Sequence, residues 1–135
     1  MPVHQRSSEM KADKKVLLIL DDDKYMVRAL LRSFDSLFDE IFGVTDPDEA
    51  TSILELNRVS HIICDLNLGV NVETGTNGFT LSTLWRKRFP TIERIVIYSG
   101  EPLGNISIPP EIDAVVQKTK DIAFITDRLL ERAIV

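Results

Sequence analysis

Cysteine is all but missing from this chain. Cys64 stands alone, so no internal disulfide can form, and the fold must rest on its apolar core. Histidine is nearly as scarce: His4 and His61 offer no zinc-ligand spacing with that cysteine. No apolar run approaches the roughly 20 residues of a membrane helix. Met1 to Lys15 is polar and lacks the apolar centre of a signal peptide. With a lone thiol and no such segment, a reducing cytoplasm is the expected location. No basic cluster of useful size appears, and the net charge is −5, which argues against direct contact with nucleic acid. There is no internal repeat and no low-complexity tract.

What is present suits one domain. A chain of 135 residues can bury roughly two thirds of its unfolded surface without staples. Residues 1–14 read as a flexible tail and residues 15–135 as the folded unit.

The first strong signal is Val16-Leu17-Leu18-Ile19-Leu20, which stops at Asp21-Asp22-Asp23. A short continuous apolar run fits a strand covered on both faces, as in parallel sheets. Lys24 to Phe38 reads as a helix, with Met26, Leu30, Phe34 and Leu37 near one face. Glu40 to Val44 is a second strand. Asp46 then caps a helix that has Pro47 at its first position and runs to about Asn57, with Ala50, Ile53 and Leu54 inward. His61 to Cys64 is a third strand, ended by Asp65. After a polar loop, Asn67 to Asn77, Gly78 to Arg88 reads as a helix closed by Phe89-Pro90. Arg94 to Tyr98 is a fourth strand, ended by Ser99-Gly100. Glu101 to Asp113 holds three prolines and a glycine, so no long helix is expected there. Ala114 to Gln117 is a short fifth strand before Lys118, and Ile122 to Ile134 an amphipathic closing helix. Such alternation implies a doubly wound α/β fold, a parallel sheet with helices on both faces.

Ligands of open parallel sheets bind beyond the carboxyl ends of the strands. Four of these ends carry chemistry: Asp21-Asp22-Asp23, Asp65, Ser99 and Lys118. Crowded carboxylates repel one another, and a hard divalent cation relieves the repulsion. Mg²⁺ accepts a few carboxylates and favours phosphate oxygens as further ligands. A carboxylate can attack phosphorus and hold it as an aspartyl-phosphate. A lysine and a hydroxyl can clamp the phosphoryl oxygens. Each residue also has a plainer reading. Aspartates cap helices, Ser99 could be a turn serine and Lys118 a solvated lysine. Cys64 reads as a core residue, and His61 as a structural residue at a strand start. The cations after Trp85, Arg86-Lys87-Arg88, are what a helix C-terminus favours anyway.

In this order and at these strand ends, the four motifs resemble the receiver domain of response regulators, the family of the chemotaxis regulator CheY. The resemblance spans residue 15 to the C-terminus. It implies a flavodoxin-like five-stranded sheet of order 2-1-3-4-5, and a receiver that takes a phosphoryl group from a histidine kinase or phosphotransfer protein and signals to a downstream protein by changing shape. Asp65, from Ile63-Cys64-Asp65-Leu66-Asn67, would be phosphorylated. Asp22 and Asp65 would ligate Mg²⁺ directly, Asp21 through water and Asn67 through its backbone carbonyl. Ser99 and Lys118 would bind the phosphoryl group. Asn67 and Glu101 would tune the attacking water and make the phosphorylated state short-lived. No enzymatic action on another substrate is implied.

The chain departs from the family pattern at several points. Gly69 stands where a proline is usual, and the loop from Val70 to Asn77 is longer than usual. Val115 takes the place of an aromatic switch residue, Thr119 replaces a proline, and the fourth helix is degenerate. These departures point to a shape change concentrated in the Ser99–Pro110 or Asn67–Asn77 loops. Two rival readings use the same residues. A pseudo-receiver would bind a partner without cycling phosphate. A haloacid-dehalogenase-like phosphatase would use Asp21 as nucleophile and Asp23 as acid, but leaves Asp65 without a role.

Overall fold

The computed structural model describes residues 14–68, 77–100, 107–118 and 121–130. The elements are β1 (Val16–Leu20), α1 (Lys24–Phe34), β2 (Glu40–Val44), α2 (Pro47–Leu56), β3 (His61–Asp65), α3 (Gly78–Arg88), β4 (Arg94–Ser99), β5 (Ala114–Gln117) and α4 (Ile122–Leu130). The five strands form one parallel sheet of order β2-β1-β3-β4-β5.

Strand alternation sends the apolar runs to both faces. On one side Val16, Leu18, Leu20, Ile62, Cys64, Ile95 and Ile97 pack under α2 and α3, with Ala50, Leu54 and Trp85. On the other, Leu17, Ile19, Ile63, Val96, Tyr98 and Val116 pack under α1 and α4, with Leu30, Phe34, Ile125 and Leu129. This double cover is why β1 and β3 carry no polar alternation. None of the described helices is long and apolar enough to cross a membrane.

Helix starts follow capping chemistry. Asp46 Oδ2 accepts from the Glu49 N–H at 3.0 Å, with Pro47 beginning α2. Asn77 Oδ1 accepts from the Thr80 N–H at 3.0 Å and opens α3.

Helix α1 is shorter than its periodicity predicts. It ends at Phe34, where the Leu37 N–H turns back onto the Phe34 carbonyl at 2.9 Å. The turn tucks Phe38 into the core and turns Leu37 outward, 41% exposed, while Val27 joins Leu30 and Phe34 inside. In α3, Leu84 is exposed and Ser82 takes an inward place. Of the closing helix, residues 122–130 are helical, and 131–135 lie outside the described residues, as do 1–13.

Gly100 and residues 107–113, the described parts of the β4–β5 crossover, contain no helix. Side chains anchor this stretch. Asp113 Oδ2 accepts from the Ile95 N–H and from Arg86, each at 2.7 Å. Arg86 also donates to the Glu111 and Glu93 carbonyls, both at 3.1 Å. The cationic end of α3 is therefore a structural clamp. Trp85 is core, its indole N–H donating to Thr51 Oγ1 at 3.2 Å.

His61 is likewise structural. Its Nδ1 lies 2.7 Å from Ser60 Oγ, and its ring packs edgewise on Phe38 at 5.2 Å. Burial, with the charges of Lys15 and Arg94, lowers its pKa to about 4. Cys64 is fully buried, and burial, then the Asp65 charge, pushes its thiol up.

Candidate functional site

The carboxyl ends of β1, β3, β4 and β5 meet at one edge. Asp21 continues β1: its N–H donates to the Val44 carbonyl at 3.2 Å, and the side chain is buried. Asp21 Oδ1 accepts from the Asp23 N–H at 2.9 Å, which pins the acidic turn. Asp22 is exposed. Asp23 caps α1 through the Tyr25 N–H at 2.9 Å. The three aspartates thus divide the two readings between them: Asp23 caps, while Asp21 and Asp22 face the site edge.

Asp65 ends β3 and is also buried. Its Oδ1 accepts from the Asn67 N–H at 3.3 Å. Ser99 ends β4, buried, opposite Gln117 of β5. Lys118 follows β5, and its N–H donates to the Ser99 carbonyl at 2.7 Å. Its ammonium bridges the two buried acids, 2.9 Å from Asp21 Oδ2 and 3.3 Å from Asp65 Oδ1.

The electrostatics follow from this crowding. Burial, and then the neighbouring Asp21 charge, raises Asp65 to about 6, against the pull of Lys118 and the Asn67 N–H. For Lys118, burial acts downward, but the hydrogen bond and charge of Asp21 and the charge of Asp65 outweigh it, so its pKa is raised. Asp21, Asp22 and Asp65 each place an oxygen within 4.8 Å of the others. Three carboxylates against one ammonium leave local negative charge in excess. All three offer hard oxygen donors, so the set fits a divalent cation of the magnesium type.

Of the residues singled out in the sequence, Asp21, Asp22, Asp65, Asn67, Ser99 and Lys118 gather at this edge. Glu101 lies outside the described residues, as do Gly69, Thr119 and most of the long loop, residues 69–76.

Sequence reasoning gave Gly78 no role beyond starting a helix. Its N–H donates to the Leu66 carbonyl at 2.8 Å. A Cβ there would stand 2.4 Å from the Asp65 carbonyl oxygen and 2.9 Å from Leu66 Cα. These are backbone atoms of the segment that carries the nucleophile candidate, and they cannot swing aside. Gly78→Ala is therefore expected to cost about 1–3 kcal/mol and to weaken metal binding by displacing Asp65. Urea unfolding and a Mg²⁺ titration check both. The only sequence signal was Asn77-Gly78 closing the polar loop.

No family model matches the chain, and no curated protein matches it in sequence. Solved structures do match in fold. A response regulator from Burkholderia pseudomallei, solved with a phosphorylated aspartic acid, a calcium ion and citrate, superposes with a TM-score of 0.71 at 20% identity, over 87% of this chain and 67% of that one. A response regulator receiver protein from Sinorhizobium medicae gives 0.69 at 15% identity, over 86% and 91%. A CheY-like receiver domain from Methylobacillus flagellatus gives 0.67 at 18% identity, over 85% and 98%. At these identities the likeness is one of fold. The chain has the flavodoxin-like fold of response regulator receiver domains, as its motif order implied.

Proposed function

We propose that the chain is a phospho-accepting receiver of a two-component signalling system, with Asp65 as acceptor. The observation that carries this is the Lys118 bridge between Asp21 and Asp65, at 2.9 and 3.3 Å, beside three clustered carboxylates. An Asp65 carboxylate oxygen attacks phosphorus. A new O–P bond forms, the bond to the donor breaks, and the donor leaves with that electron pair. Lys118 and Ser99 bind the phosphoryl oxygens. Asp22 and Asp65 would hold Mg²⁺ directly, with Asp21 acting through water and Asn67 through its carbonyl; bound Mg²⁺ would offset the negative charge that repels an incoming phosphoryl group. The donor is a histidine kinase or phosphotransfer protein, and the output passes to another protein in the cytoplasm. The chain promotes only its own phosphorylation and dephosphorylation, with Asn67 and Glu101 keeping the phosphorylated state short-lived. The phosphorylated aspartic acid of the Burkholderia regulator supports this reading.

The phosphatase reading fits poorly, because Asp23 is engaged as the α1 cap. Labelling with acetyl phosphate and Mg²⁺, followed by peptide mapping, separates the alternatives. Label on Asp65 supports the receiver, label on Asp21 the phosphatase, and no label the pseudo-receiver.

A pH dependence follows from Asp65. Its folded pKa is about 6 against an ordinary 3.8. Between those values the folded state holds the extra proton, so its share of metal-free stability falls as pH rises from about 4 to about 6. Metal binding needs the carboxylate, so Mg²⁺ affinity is expected to rise through that window and level off above it. Urea unfolding in EDTA and Mg²⁺ titration, each compared with Asp65→Asn, isolate this share.

A further inference from the structure

Lys118 carries the proposed chemistry on a long, flexible stem. Two carboxylates attract its ammonium, but attraction alone does not fix a point charge between them. A third contact comes from below. The Tyr98 ring centroid lies 5.6 Å from Lys118 Nζ, within cation–π range. The Tyr98 hydroxyl donates to the Lys118 carbonyl oxygen at 3.4 Å. One side chain therefore touches both ends of the lysine.

The placement of Tyr98 follows from the strand. It precedes Ser99, pairs with Asp65 on β3 and with Val116 on β5, and turns its ring to the face under α1 and α4. There it is 4% exposed, in the cluster that holds Ile125 and Leu129. A ring so enclosed has little freedom, and a rigid support of this kind preorganises a reacting group. Burial raises the pKa of its phenol, so the hydroxyl keeps its proton at neutral pH and stays a donor.

We propose that Tyr98 is a positioning residue that holds the Lys118 ammonium between Asp21 and Asp65. This rests on Asp65 being the phosphoryl acceptor, and it deepens that reading. The ring does most of the holding, since the hydroxyl contact is long.

The test uses the full chain with Tyr98→Leu and Tyr98→Phe. Proton NMR of the Lys118 ε-methylene reports the ring directly, because a lysine over an aromatic face is shifted upfield. That shift is expected in wild type and Tyr98→Phe and lost in Tyr98→Leu. The rate of phosphorylation by acetyl phosphate is expected to fall about tenfold in Tyr98→Leu, the size of one cation–π contact, and to stay within about threefold in Tyr98→Phe. Mg²⁺ affinity is not expected to fall in either, because neither variant removes a carboxylate. An unshifted ε-methylene in wild type overturns the proposal, and does so even if Tyr98→Leu does not fold. A rate and a metal affinity that fall together, with no rescue by phenylalanine, also overturn it, since that pattern means packing alone. If wild type takes no label on Asp65, the receiver reading fails, while the ε-methylene shift still decides what Tyr98 does to Lys118.

Discussion

Asp65→Asn is expected to abolish stable phosphorylation while leaving the fold intact. Asparagine has the same shape but no anionic oxygen to attack phosphorus. Asp65 is held in the charged state against burial and the adjacent Asp21 charge, which is why its pKa rises to about 6. Removing that charge relieves the like-charge contact, so metal-free stability at neutral pH is expected to rise by about 1–2 kcal/mol. A site residue whose loss stabilises the fold is one kept for chemistry. Asp22→Ala should behave differently. Asp22 is exposed, so stability stays within about 0.5 kcal/mol, while Mg²⁺ affinity falls strongly because one of the clustered carboxylates is gone. Mass spectrometry after acetyl phosphate treatment, urea unfolding and metal titration read the three quantities. Label persisting in Asp65→Asn, or unchanged affinity in Asp22→Ala, would sink the site assignment.

Much of this was legible because both determinants are local. Each buried strand is a short apolar run with a polar stop, and in β1, β3 and β5 the stop is the reacting side chain or adjoins it. The sheet then brings Asp21, Asp65, Ser99 and Lys118 together without any further signal in the sequence. What stayed hidden depends on contacts across the chain. The end of α1 at Phe34 was overrun because Asp35 to Phe38 still carries helical spacing, and only the tuck of Phe38 against His61 settles it. Arg86 looked like a cation favoured by a helix end. Its partners are Asp113 and the Glu111 carbonyl on the β4–β5 crossover, and the Glu93 carbonyl just before β4. Gly78 looked like a helix start, and its need for no side chain appears only when the Asp65 carbonyl is placed beside it. Tyr98 read as one more strand residue until Lys118 lay over its ring.

Lys118→Met is expected to separate the two roles of the lysine. Methionine keeps much of the apolar stem and removes the ammonium. In the metal-free protein Asp21 and Asp65 then face each other, both buried, without their bridging cation. Breaking a buried pair from one side costs about 3–5 kcal/mol. Asp65 can take up a proton instead, because its pKa is already raised and loses the downward pull of Lys118, so the low end, about 3 kcal/mol, is expected. Mg²⁺ reverses the sign of the comparison. In wild type the ammonium competes with the cation for the Asp21 and Asp65 oxygens. In Lys118→Met that competitor is gone, so Mg²⁺ affinity is expected to rise. Mg²⁺ at about 100 times Kd adds roughly 2.7 kcal/mol by mass action to whichever protein it saturates, so the stability deficit of Lys118→Met narrows only by its gain in affinity. Phosphorylation does not recover with it. The phosphoryl oxygens lose a fixed positive donor, and removal of one such donor lowers a rate by about 10²- to 10³-fold. Tighter metal binding with slower phosphorylation is thus the signature of a lysine that acts on the phosphoryl group. Urea unfolding with and without Mg²⁺, a metal titration and a labelling time course measure it. If affinity and rate fell together, Lys118 would serve to keep the site assembled, and its assignment as a phosphoryl ligand would have to be abandoned.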